Sequence, residues 1–276
     1  MEAHAPRRKP LWRLALALIL TGSLGLTPAA CGAASSADLT EPLAAVYMRQ
    51  DVRQDLTGDA ASVNMIRQLE LLGLRHLRIS GEPANVLEQL RPGSTYISSG
   101  GAHVHGEVED MRAVASFVKR GGMVVLLGSG DDDGEAAGMF ISRVLGYQGA
   151  WTLCKRVSTS VRDHVGRSTL DMEHAHSFLL PLASAGGAAA ADGGAWPAEL
   201  EEAAVTHAHT WCHHQDASAV SWPLYTVADS ELMVTAQVFG KAGVPGAVVW
   251  LGYNWRAGPQ LEWGRLLKSL ITGFAS

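Results

Sequence analysis

The stretch Ser94–Tyr147, STYISSGGAHVHGEVEDMRAVASFVKRGGMVVLLGSGDDDGEAAGMFISRVLGY, decides the fold of this chain. Thr95–Ser98 reads as a short strand and runs into the loop Ser99-Gly100-Gly101. Glu109–Arg120 carries Met111, Val114, Ala115 and Val118 on one face at helical spacing. Gly121-Gly122 then ends the helix. Met123–Leu127 is five consecutive apolar residues, which marks a strand buried on both faces. Glu135–Leu145 is the next helix, closed by Gly146. Strand and helix in alternation predict a parallel sheet joined by right-handed crossovers.

On the N-terminal side the same rhythm continues. Ala44–Met48 reads as a strand, and Ala60–Leu72 as a helix with Val63, Ile66, Leu69 and Leu72 on one face. His76–Ile79 is a second strand. Asn85–Leu90 is a short helix between Pro83 and Pro92. On the C-terminal side the rhythm breaks. Residues 148–222 contain the low-complexity tract Ala183–Gly194 and read as an insertion. Regularity returns with the strands Leu232–Phe239 and Ala247–Leu251, and with a closing helix, Leu261–Ile271.

The first residues read differently. Arg7, Arg8, Lys9 and Arg13 precede or enter the apolar run Leu14–Leu20, and the small-residue tract Cys31–Ser36 follows. That order is expected of a cleaved secretory signal over residues 1–34, with an uncleaved membrane anchor as the alternative. Residues 35–276 then form a single α/β domain. The leader holds four basic residues and one acid (Glu2), so its loss takes the net charge from −5 to −8. An acidic domain without basic runs argues against a nucleic-acid partner. The expected localisation is secreted or lumenal, with no stable membrane span once the leader is gone. Of three cysteines, Cys154 and Cys212 remain beyond the leader, an even pair in an oxidising compartment, and a disulfide is expected, tying the base of the 148–222 insertion.

The central stretch resembles class I glutamine amidotransferases and their non-catalytic relatives. In that family a strand leads to a Ser-Gly-Gly loop that helps form an oxyanion hole, matched here by Ser99-Gly100-Gly101. A helix then leads to an apolar strand and a sharp elbow bearing the nucleophilic cysteine, matched by Phe117–Gly122 and Met123–Leu127. A late strand carries the catalytic histidine, matched by Gly246–Trp255 (GAVVWLGYNW). The resemblance implies a flavodoxin-like three-layer sandwich with a ligand cleft at Ser99, Gly100, Gly101, Gly128, Ser129, Asp131, Asn254 and Trp255. It also exposes a loss. Gly128 stands where the cysteine belongs, with Ser129 next to it, and Asn254 and Trp255 stand where the histidine belongs. Covalent amide hydrolysis needs a nucleophile and a base within hydrogen-bond reach, and those positions supply neither. Glutaminase activity is therefore not expected. Ser129, on a strand-to-helix turn that half fits G-x-S-x-G, is the one substitute nucleophile.

Other clusters suggest other chemistry. Asp131-Asp132-Asp133 offers oxygen ligands to a hard cation, or simply caps the following helix. His103-x-His105, His174-x-His176 and His207-x-His209, with His213-His214, place imidazoles two apart, and on a strand such pairs share a side. His207, His209 and His213, with His103 or His105, are the candidate ligands for zinc or copper. Trp196, Trp211, Trp222, Trp250, Trp255 and Trp263, all in the second half of the chain, suit carbohydrate binding or core packing. The favoured expectation is a non-catalytic binding or interaction module for an extracellular ligand or protein, without a cofactor. The alternatives are a metal-dependent hydrolase and a cation- or carbohydrate-binding extracellular protein.

Overall fold

The computed structural model describes residues 42–48, 60–79, 81–98, 108–128, 134–149, 151–158, 166–175, 196–203, 206–212, 214–228 and 230–275. The elements run β1 (Ala44–Tyr47), α1 (Ala60–Leu71), β2 (His76–Ile79), α2 (Pro83–Leu87), β3 (Thr95–Ser98), α3 (Val108–Lys119), β4 (Met123–Leu127), α4 (Glu135–Leu145), β5 (Leu153–Ser158), β6 (Ser168–Leu170), β7 (Glu199–Leu200), β8 (His207–Trp211), β9 (Ala219–Val227), β10 (Ser230–Lys241), β11 (Ala247–Leu251) and α5 (Leu261–Ala275). The proposed leader, and the site candidates Ser99, Gly100, Gly101, His103, His105, Ser129, Asp131 and His213, lie outside the described residues.

One mixed sheet joins the strands in the order β2-β1-β3-β4-β11-β10-β9-β6-β7, with β8 pairing both β10 and β5. From β2 to β11 every pairing is parallel. From β11 outward every pairing is antiparallel. The expectation of a parallel sheet therefore holds for one half only. Residues 148–222 are also not an appendage. Their described parts supply β5 to β8 and the start of β9, which extend the sheet without a break. Antiparallel strands are joined without crossover helices, so a search for strand–helix alternation passes over them.

Both faces of the parallel half are covered. Val125 and Leu127 of β4 face a core with Met65, Ile66 and Leu69 of α1 and Trp263, Leu266, Leu267 and Leu270 of α5. Val124 and Leu126 face the opposite core, with Val114, Phe117 and Val118 of α3 and Phe140, Ile141 and Val144 of α4. The unbroken apolar run of β4 is thus the direct consequence of two helical layers, one on each side. Two glycines let elements touch closely. A Cβ on Gly246 would lie 2.1 Å from the Val118 carbonyl oxygen, and one on Gly138 would lie 1.9 Å from that of Trp151.

Cys154 and Cys212 form a disulfide with a Cα–Cα distance of 5.0 Å. It links β5 to the residue just after β8, strands already paired through Leu153 and Trp211. The Cys212 amide also donates to the Thr152 carbonyl at 2.9 Å. The bridge pins two neighbouring strands of the antiparallel half, where the sequence suggested the base of an insertion.

Candidate functional site

In open α/β sheets ligands bind beyond the C-terminal ends of the parallel strands. Here that edge is formed by Ser98 at the end of β3, Gly128 after β4 and Gly252–Trp255 after β11. Gly128 is buried, and its amide donates to the Leu251 carbonyl at 2.8 Å. A Cβ added at Gly128 would sit 2.9 Å from the Gly252 carbonyl oxygen and 3.2 Å from Cδ2 of His207. Contacts under 3.0 Å to backbone are not sustained by real Cβ atoms. A side chain at Gly128 would thus force the Gly252 backbone to shift.

The crowding comes from β8. His207 donates its amide to the Gly252 carbonyl at 3.0 Å, and Gly252 donates its own to the Thr235 carbonyl at 2.7 Å. Thr206 bridges to Tyr253. β8 takes up pairing with β10 at Val234, past the point where β11 stops. A Cβ on Gly252 would lie 2.0 Å from the His207 carbonyl oxygen, so only glycine allows this crossing. The antiparallel half therefore lays His207 across the end of β4. Reading the sequence as a separate insertion hides this contact; the signal that could have found it is the paired glycine after each strand, Gly128 and Gly252.

After β11 the chain turns back into the core. Asn254 is 2% exposed. Its Oδ1 accepts the Arg256 amide at 3.0 Å, while its Nδ2 has no partner among the described residues. Trp255 is fully buried and adopts a left-handed backbone with φ of 61°, which costs a non-glycine residue about 1–3 kcal/mol. Two bonds hold it there, and a third fixes the acceptor of one of them. Asn64 Nδ2 donates to its carbonyl at 2.9 Å, its indole Nε1 donates to Gln68 Oε1 at 3.2 Å, and Gln68 Oε1 also accepts the Gln260 amide at 2.9 Å. Tyr253 and Trp263 pack on its ring. Trp255, read from sequence as a cleft residue, is a core residue joining α1 to the approach of α5.

His207 and His209 share one side of β8, with rings nearly parallel and centroids 6.4 Å apart. Both are buried, and the His209 ring lies 4.5 Å from that of Trp250. Among the described residues no group of three His, Cys, Asp or Glu side chains could hold a metal ion. His174 is engaged elsewhere, its Nδ1 lying 2.6 Å from Asp171 Oδ2. Among the described residues no helix is long and apolar enough to cross a membrane.

No family model and no curated protein matches this chain. Solved structures do. A ThuA-like protein of Bacteroides uniformis superposes with a TM-score of 0.52 at 11% identity, covering 85% of this chain and 92% of that one. An exo-β-1,4-mannosidase of an Opitutaceae bacterium gives a TM-score of 0.45 at 11% identity, covering 83% of this chain and 35% of the mannosidase. A GMP synthase subunit of Thermoplasma acidophilum gives 0.40 at 10% identity, covering 85% of this chain and 95% of that one. The last two scores fall below 0.5 and carry no weight. The first shows that the chain shares the mixed α/β fold of the ThuA-like protein.

Proposed function

We propose that this chain is an amidotransferase-like domain that has kept the scaffold and given up the covalent chemistry, and that it works as a secreted binding or interaction module. The observation that carries this reading is the closed position at Gly128. A cysteine there would meet the Gly252 carbonyl, and the position expected to bear the base holds Asn254, turned into the core. The disulfide between Cys154 and Cys212 supports an oxidising compartment, in line with the signal-like first 34 residues. In this reading residues 35–276 are the mature domain.

The test is direct. The secreted protein, incubated with glutamine and with simple amides and esters, should release no ammonia, acid or alcohol above a heat-inactivated control. Turnover of glutamine that a thiol-directed or serine-directed inhibitor abolishes would overturn the reading.

A second reading, a metal-dependent hydrolase, draws on one observation: β8 delivers His207 to the strand edge where chemistry is expected. Elemental analysis of the untagged protein after dialysis in metal-free buffer separates the two. Near-stoichiometric zinc or copper favours the hydrolase.

A further inference from the structure

The bridge between Cys154 and Cys212 ties down an edge strand. β5 has one strand partner among the described residues, β8, and so ends its branch of the sheet. Ser158 lies opposite His207, Val157 opposite Ala208, Arg156 opposite His209 and Lys155 opposite Thr210, and the register then shifts by one residue before Leu153 meets Trp211. Cys154 is the extra residue of that shift, a β-bulge. A bulge interrupts the ladder and re-aims a side chain. Here it brings Cys154 to Cys212, the residue just after β8.

The bridge is open to solvent, while the chain on either side of it is anchored. Cys154 is exposed and Cys212 half-buried. Trp151 is buried, and its amide donates to Ser142 Oγ of α4 at 2.7 Å. His214 is buried too, its ring 4.8 Å from that of Trp151. The approach to β5 is thus fixed on α4, and the strand beyond it relies on β8 and on the bridge. Thiol–disulfide exchange requires a thiolate to reach a sulfur, and exposed bridges are the labile ones.

The two edges of β8 face different neighbours. The His207 amide donates inward, to the Gly252 carbonyl, and His209 pairs with Val234 of β10. Backbone N–H groups alternate in direction along a strand. Ala208, Thr210 and Cys212 therefore point their amides outward, to β5. The Cys212 amide is seen to do so, donating to the Thr152 carbonyl at 2.9 Å. Departure of β5 would bare the outer edge of β8 and leave its inner edge in the sheet.

We propose that the bridge is a redox latch: reduction by a dithiol releases β5 from β8 and opens the outer edge of β8, while the rest of the sheet stays folded. A thiolate of the reductant attacks the exposed Cys154 sulfur. The bond between the two Sγ atoms breaks, a mixed disulfide forms on Cys154, and Cys212 leaves as a thiolate that takes up a proton. The second thiol of the reductant then attacks the mixed disulfide, closes the reductant's own disulfide and releases Cys154 as a thiol. The protein is reduced and the dithiol oxidised, electron pair for electron pair. A bare strand edge offers unpaired N–H and C=O groups to another chain, so the reduced form gains a pairing surface that the oxidised form covers. The inference goes beyond the binding-module reading and stands whether or not the domain is catalytic.

The experiment is amide hydrogen exchange followed by NMR on the full chain in native buffer, before and after reduction with dithiothreitol. Alkylation and mass spectrometry identify the freed cysteines. Cys154 and Cys212 should become alkylated together without denaturant. Exchange at Ala208 and Thr210 should then rise by at least about tenfold, as local opening becomes easier, while His207, His209 and the β4 amides keep their protection. Reoxidation should restore the original rates. Cys154→Ser with Cys212→Ser should show the fast pattern without reductant and no further response to it, which separates loss of the bridge from any other effect of the thiol. A bridge that is reduced only in urea, outward amides of β8 that keep their rates after reduction, or His207 and β4 amides that speed up as much as Ala208 overturns the proposal.

Discussion

The His207 amide donates to the Gly252 carbonyl at 3.0 Å, and through that bond the antiparallel half of the sheet closes over the end of β4. The consequence for Gly128 is quantitative. A Cβ there meets the same carbonyl at 2.9 Å. Gly128→Cys, which restores the residue type of the amidotransferase nucleophile, should lower stability by about 1–3 kcal/mol, the ordinary cost of overpacking, and should yield no glutaminase. Urea unfolding followed by circular dichroism, with an ammonia-release assay, checks both. Gly252→Ala, whose Cβ would lie 2.0 Å from the His207 carbonyl oxygen, should cost more than Gly128→Cys in the same experiment.

Gln68 satisfies two donors from distant parts of the chain, the Trp255 indole and the Gln260 amide. Gln68→Leu keeps the volume and removes the acceptor. Each stranded donor should cost about 1–3 kcal/mol. Near-ultraviolet circular dichroism should also change, because Trp255, Tyr253 and Trp263 form one packed group around that side chain. A variant as stable as the parent would mean that this acceptor does not hold the left-handed turn at Trp255.

The parallel half is legible in the sequence because its signals are local. Met123–Leu127, Ala247–Leu251 and the apolar stripe of Glu109–Arg120 each announce their element within one short window. β5 to β9 are not, because an antiparallel strand is defined by its partner. His207–Trp211 (HAHTW) has no apolar run, and its meaning comes from Gly252 and Val234, both remote in sequence. The candidate site divides in the same way. Gly128 is visible in the sequence as the glycine that follows the apolar run of β4. The contact that closes that position depends on β8, and the burial of Trp255 depends on Asn64 and Gln68.

The disulfide joins residues 58 positions apart. In the chain-entropy account a bridge closing a loop of that size stabilises by about 4 kcal/mol, and measured values are often lower. Cys154→Ser with Cys212→Ser should therefore lower the free energy of unfolding by about 2–4 kcal/mol. Reduction of the parent by a thiol should shift its denaturant midpoint in the same direction. Equal midpoints with and without the bridge would assign the stability of this region to β5–β8 pairing alone.

Asp216 is held well below the usual carboxylate range, first by the Ser218 hydroxyl, then by the Gln148 and Ser218 amides, with Lys241 adding a smaller attraction. A lowered folded-state pKa means stability that is present above the unfolded value, near 3.8, and lost as pH falls below it. The parent should be more stable than Asp216→Asn at neutral pH, and the gap should close on acidification below about pH 4. Melting temperatures across that range check this. A gap that persists at low pH would assign the effect to packing instead of charge.

The parallel register of β4 with β11, Met123 opposite Ala247, sets the order of events during synthesis. As the chain leaves the ribosome, β1 to β4 can assemble with their helices, but β4 then keeps one edge open: five apolar residues with unpaired backbone groups. The strand that closes this edge, Ala247–Leu251, is made only after the whole antiparallel half. Contacts so remote in sequence form slowly, and an open apolar edge is a template for pairing with another chain. The nascent protein thus passes through a stage in which its most hydrophobic strand depends on chaperones or on speed, and C-terminal truncation before Ala247 would leave it in that state for good.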